Sequence, residues 1–142
     1  MTYLLDTNVL SELRKGSRCH PNVAAWFSAV EDVDLCLSVL VIGEIRRGIE
    51  VIRRRDGIRA TALDQWLGRL VRDHAERILP VDRAVADEWG RLAAMRTGSV
   101  VDSLLAATAR VHGLTLVTRN VRDVQWTGVS CVNPFVSAGR AS

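Results

Sequence analysis

Cysteine and long apolar runs are scarce in this 142-residue chain, and each scarcity removes a class of function. The three cysteines, Cys19, Cys36 and Cys131, are odd in number and widely separated. They form no Cys-x-x-Cys pair and have no histidine at zinc-finger spacing, which argues against a disulfide framework or a structural zinc site. Cys36 and Cys131 lie in apolar, β-like runs and are expected as small buried hydrophobes with reduced thiols, as in a cytoplasmic protein. The longest apolar stretch, around Leu35 to Gly43, is far too short to span a membrane, and Asp6 interrupts any signal-like amino terminus. No glycine-rich phosphate loop is present, and His20, His74 and His112 show neither triad nor metal-ligand spacing. His112, beside Gly113, is expected to cap a helix end.

What is present is an ordinary globular balance: 48% hydrophobic, 25% charged and a net charge of +3, with a sequence pI near 9.1. This length and balance suit one domain, expected to cover residues 1–142 with a frayed tail from about 137. Every basic residue except Lys15 is arginine. Mild basicity permits a nucleic-acid partner without requiring one, because a solvated basic helix face gives the same count.

Apolar patterning alternates between strand and helix along the whole chain. Tyr3 to Leu5, Asp34 to Val39, Ile78 to Val81, Leu114 to Thr118 and Gly128 to Val132 read as strands, with Pro80 placing the third at an edge or strand end. A short helix follows Asp6, capped by Thr7 or Asn8, and another opens at Pro21 with Val23, Trp26, Phe27 and Val30 on its buried side. From about Leu40, Val41, Ile42, Ile45, Ile49 and Ile52 recur at helical spacing, and after Asp56-Gly57 a long helix buries Ile58, Leu63, Trp66, Leu67, Leu70 and Val71. Asp82 caps a helix running through Val85, Trp89, Leu92 and Met95 to Gly98, and a small-residue helix extends from Ser99 to Gly113. Arg119 to Trp126 is expected as a loop. Alternation of this kind predicts parallel βαβ units: the α/β class, a three-layer α/β/α sandwich around a mostly parallel five-stranded sheet.

Four acids occupy positions unlike those of ordinary surface charges. Asp6 ends a buried strand, Glu44 stands beside an apolar helix stripe, Asp102 precedes Leu104-Leu105-Ala106-Ala107, and Asp123 follows the fourth strand. Parallel strands place their carboxyl ends on one edge, where helix first turns also gather, so all four carboxylates meet there. Such a group repels itself, and a hard divalent cation relieves the repulsion; oxygen-only ligands favour Mg²⁺ or Mn²⁺ over zinc. Each acid also has a plain structural explanation: Asp6 or Asp102 as an N-cap, Glu44 paired with Arg47, and Asp123 as a turn residue. A haloacid-dehalogenase-like phosphatase would need an acid where Asn8 stands.

The segments Leu4-Leu-Asp-Thr-Asn-Val-Leu-Ser-Glu12, Ser38-Val-Leu-Val-Ile-Gly-Glu-Ile-Arg-Arg-Gly48, Asp102-Ser-Leu-Leu-Ala-Ala-Thr-Ala109 and Leu116-Val-Thr-Arg-Asn-Val-Arg-Asp123, followed by Asn133-Pro-Phe135, resemble a PIN-domain ribonuclease. The nearest likeness is to the VapC-type and FitB-like toxins of type II toxin-antitoxin pairs, and it spans essentially the whole chain.

This resemblance implies an Mg²⁺-dependent endoribonuclease that hydrolyses RNA phosphodiesters with a metal-activated water. Asp6, Glu44, Asp102 and Asp123 would be the catalytic and metal-site acids. Asp6 and Asp102 would be direct ligands, and Thr7, Asn8 and, more weakly, Ser11 would orient the first acid or its water. Some relatives carry an acid where this chain has Asn120, so Asn120 is expected as a polar organiser and Asp123 as the remaining charge. The usual aromatic after that acid is replaced by Val124, which is expected to weaken local packing. Arg46, Arg47 and Arg119 are candidates for RNA contact. The resemblance also implies a homodimer and an antitoxin of the VapB or FitA kind, with hetero-oligomers on DNA, and the helix around Trp66 is a candidate antitoxin seat. The alternative is a catalytically weak binding module acting with a DNA-binding antitoxin in autoregulation, favoured by the missing charge at Asn120; a metal-dependent phosphatase is a third option.

Overall fold

A computed structural model describes residues 1–137; the tail expected from about 137 otherwise lies outside the described residues. The elements, in chain order, are β1 (Tyr3–Leu5), α1 (Thr7–Leu13), α2 (Pro21–Ala29), β2 (Leu35–Ser38), α3 (Val39–Arg53), α4 (Gly57–Asp73), β3 (Ile78–Leu79), α5 (Arg83–Met95), α6 (Val100–His112), β4 (Thr115–Val117), α7 (Val121–Val124) and β5 (Cys131–Val132). The five strands form one sheet in the order β3-β2-β1-β4-β5. Every pairing is parallel, where a mostly parallel sheet was expected.

That order fixes the layers. The chain steps from β1 through β2 to β3 in one direction, then crosses back to β4 and β5 in the other. Right-handed crossovers therefore place α1 to α4 on one face and α5 to α7 on the opposite face. Packing agrees: α1 meets α2 and α3, and α3 meets α4, while α6 meets both α5 and α7. The direction reverses between β1 and β4, so the crevice beyond their carboxyl ends is the topological switch point, where ligands bind in open α/β sheets.

Leu4, Leu5, Leu35, Leu37, Leu116 and Val117 are buried along the central strands, and Val9, Val41, Val85 and Leu105 close over them from the helices. Near-continuous apolar runs are what a sheet covered on both faces requires. Trp26 packs on this core edge-on to Tyr3, with ring centroids 5.2 Å apart.

Several expectations are corrected. Phe27 and Ile58, expected on buried stripes, are exposed, Ile58 by 88%, because each sits near a helix end that the sheet does not reach. Asp6, not Thr7 or Asn8, caps α1. Gly113 caps α6 in the left-handed region, at φ 65°, in place of His112, since glycine takes that conformation without a Cβ clash. The expected loop after β4 contains α7, and α5 stops at Met95 rather than at Gly98. The expected fifth strand narrows to Cys131–Val132 because only those residues register with β4.

Candidate active site at the carboxyl edge of the sheet

Asp6 leaves β1 at the switch point and is only 6% exposed. Its carboxylate is held from three sides. Oδ1 accepts from the Thr7 backbone N–H at 2.7 Å, and Oδ2 accepts from the Thr118 hydroxyl at 2.7 Å and from Asn8 Nδ2 at 3.2 Å. These donors satisfy oxygens that burial would otherwise leave unpartnered and so offset the cost of burying the group. The neighbouring β1 and β4 residues pair Leu5 with Val117, so the next residue on each strand brings Asp6 beside Thr118.

Thr118 was not singled out in the sequence, where it reads as the end of an apolar strand. It is 1% exposed and receives the Asn120 backbone N–H at 3.1 Å. The only signal for it is a hydroxyl residue closing a buried run, which is ambiguous without the register. Asn8 ties the same turn together, its Oδ1 accepting from the Arg119 backbone N–H at 3.2 Å.

Glu44 is half-buried on α3, and its Oε1 accepts from the Thr7 hydroxyl at 2.7 Å. Thr7 therefore links two acids, its N–H to Asp6 and its hydroxyl to Glu44. Asp102 arrives from the other face of the sheet, in the first turn of α6, whose N-cap is Ser99; the Ser99 hydroxyl accepts from the Asp102 backbone N–H at 3.3 Å. Because α6 runs into β4 through Gly113, its amino end lies at the carboxyl edge of the sheet. A positive helix terminus there favours a carboxylate.

Burial, reinforced by the charges of Asp6, Asp123 and Glu44, raises the Asp102 carboxyl above its ordinary range. The four sequence-selected acids thus share one electrostatic environment. Among the described residues, however, no three histidine, cysteine, aspartate or glutamate side chains stand close enough to share one metal ion.

The remaining candidates divide. Asp123 is exposed on α7, and its carbonyl accepts from the Trp126 indole at 2.9 Å. Trp126 packs on the core, so an aromatic two residues beyond Val124 supplies packing where Val124 was expected to weaken it. Asn120 stands at the α7 N-cap position with no side-chain cap bond. Ser11 is exposed on α1 and forms no side-chain bond to the acids among the described residues. Arg46 is engaged elsewhere: with Arg53 it grips Glu50 and Asp64, joining α3 to α4. Arg47 is exposed. Arg119 lies at the rim, its Cζ 4.7 Å from the Phe135 ring centre.

Away from the acids, a cavity of about 350 Å³ opens between α1, α2 and α4, lined by Leu10, Leu13, Phe27, Trp66, Leu70 and His74 among others. Leu5 also lines it, one residue before Asp6.

Comparison with known proteins places this geometry in a family. The PIN domain matches residues 3–124. The chain is 33% identical to the VapC ribonuclease Y4jK of Sinorhizobium fredii over 141 residues, covering 95% of this chain and 99% of that protein. It is 31% identical to the toxin FitB of Neisseria gonorrhoeae over 140 residues, covering 93% and 97%. The crystal structure of FitAcB from the same organism superposes with a TM-score of 0.86 at 30% identity, over 94% of this chain and 99% of that one. FitAB bound to a DNA fragment superposes at 0.87 with 27% identity, over 99% and 100%. The chain belongs to the PIN-domain family, among the VapC and FitB toxins of toxin-antitoxin systems.

Proposed function

We propose that this chain is the toxin of a type II toxin-antitoxin pair and acts as an endoribonuclease that uses a divalent cation, Mg²⁺ or Mn²⁺. The observation that carries the proposal is that Thr7 bonds both Asp6 and Glu44 at the carboxyl edge of the sheet, where Asp102 opens α6 and has its carboxyl raised by burial and then by the charges of Asp6, Asp123 and Glu44. Carboxylates gathered in this way lower their mutual repulsion by holding a cation, and an all-oxygen donor set suits a hard one. An ion of the Mg²⁺ type keeps several waters and takes one or two carboxylates together with substrate phosphates.

Asp6 and Asp102 would hold the ion. When bound, the cation supplies an activated water and offsets the charge that builds on the phosphate oxygens during attack. Thr118, Asn8 and the Thr7 N–H fix the orientation of Asp6. Glu44, steadied by Thr7, orients the attacking water or the ion, and Asp123 completes the acidic set with Asn120 as a polar neighbour. Arg119 meets the RNA backbone at the rim. A cognate antitoxin of the VapB or FitA kind binds the chain and blocks cleavage, with one of its segments seated in the apolar cavity beside Trp66; the chain itself pairs as a homodimer and joins the antitoxin on DNA.

The test is incubation of RNA with the chain purified free of its antitoxin. Cleavage is expected with Mg²⁺ or Mn²⁺ and is expected to vanish with EDTA, in Asp6→Ala and in Asp102→Asn. Cleavage that persists under EDTA or in Asp6→Ala would sink the assignment. A folded wild type with no cleavage and no metal binding by calorimetry would favour the binding-module alternative.

A further inference from the structure

Arginines of this chain that meet another side chain mostly meet an acid: Arg46, Arg53, Arg77, Arg91 and Arg110 each pair with a carboxylate. Arg119 and Arg96 are held differently. Arg119 lies over Phe135, and the Arg96 Cζ lies 5.6 Å from the centre of the Trp126 ring. Neither has a carboxylate partner among the described residues.

Arg96 stands in the turn between α5 and α6, shortly before the Ser99 cap that sets Asp102. Trp126 packs on the core, and its indole N–H donates to the Asp123 carbonyl. A single ring therefore fixes a cation from the α5–α6 turn and an acid-bearing turn from α7.

We propose that Arg96, held over the Trp126 ring, binds a phosphate of the RNA backbone next to the one that is cleaved. This rests on the nuclease function proposed above and extends it to how the substrate is held. The acids create the need: four carboxylates repel a polyanion, and an unpaired cation at their rim restores attraction. An arginine held over an aromatic ring still offers its forked N–H groups to phosphate oxygens, a geometry lysine does not offer. A cation within about 6 Å of an aromatic centre is also restrained before binding, so less freedom is lost when RNA arrives.

The experiment measures binding of a labelled, mixed-sequence single-stranded oligoribonucleotide to the full chain in EDTA by anisotropy, over a range of salt, and cleavage of the same oligonucleotide with Mg²⁺. Arg96→Ala is expected to reduce the slope of log K against log salt by about 0.7, one single-strand phosphate contact, and to weaken binding about fivefold at 0.1 M salt. It is expected to raise KM while leaving kcat near wild type. Arg91→Ala, which removes an exposed arginine already paired with Asp87, is expected to leave the slope unchanged. Equal slopes and affinities for wild type and Arg96→Ala, or an equal loss in Arg91→Ala, would overturn the contact. A wild type that binds and cleaves while Arg96→Ala matches it removes the contact alone, whereas a wild type that does neither removes the nuclease function and the contact with it.

Discussion

The Thr118 hydroxyl donates to Asp6 Oδ2 at 2.7 Å, joining residues 112 positions apart in sequence at the switch point of the sheet. Thr118→Val keeps the shape and removes the donor. With both groups buried, the loss is expected to destabilise the fold by about 1–3 kcal/mol, read as a lower denaturant midpoint at unchanged m. Thr118→Ser should restore most of it.

Thr7 bonds two acids, through its N–H to Asp6 and through its hydroxyl to Glu44. Thr7→Val keeps the first bond and removes the second. Groups that orient a metal site commonly contribute about 10–100-fold, so RNA cleavage is expected to fall by about tenfold or more with little change in thermal midpoint. Unchanged cleavage would show that Glu44 needs no steadying.

Asp102 sets up a trade between stability and activity. Its carboxyl is raised in the fold, chiefly by burial and then by Asp6, Asp123 and Glu44. Between its ordinary value and the raised one the folded chain holds more protons than the unfolded chain, so this group makes stability fall as pH rises through that window. Asp102→Asn removes the effect. Without divalent cations the variant is expected to melt above wild type at neutral pH, the difference shrinking below the ordinary carboxylate range, while RNA cleavage is lost. A variant that melts lower at neutral pH would contradict the cost of burying this charge beside the other acids.

Ser99 anchors the helix that delivers Asp102, accepting from its backbone N–H. Ser99→Ala is expected to cost about 1 kcal/mol, as caps commonly do, and to reduce cleavage as the first turn of α6 loosens. Ser99→Asp should keep the cap and the stability.

The fold was largely legible because its signals are local. Apolar period switches, Pro21, Asp56, Asp82 and Ser99 mark where helices begin, and their spacing against the strands is enough to imply a parallel sheet. The errors fell where burial depends on a partner element rather than on period. Ile58 matches the α4 stripe in spacing yet lies at the helix start, beyond anything that could cover it. The loop after β4 hides α7 because four residues carry too little periodicity to read.

At the site, the sequence by itself determined which acids stand apart from ordinary surface charge, because an aspartate ending a buried strand or opening an alanine-rich helix conflicts with its surroundings. It also determined the alternation that makes the sheet parallel. Only the tertiary structure decided who orients them. The register of β1 against β4 brings Thr118 to Asp6, and the reversal of strand order brings α3 and α6 to the same edge from opposite faces. Trp126 meets Arg96 only after the chain has turned back on itself. Such contacts join residues distant in sequence, so no local preference encodes them; they exist only once the whole sheet has closed its order.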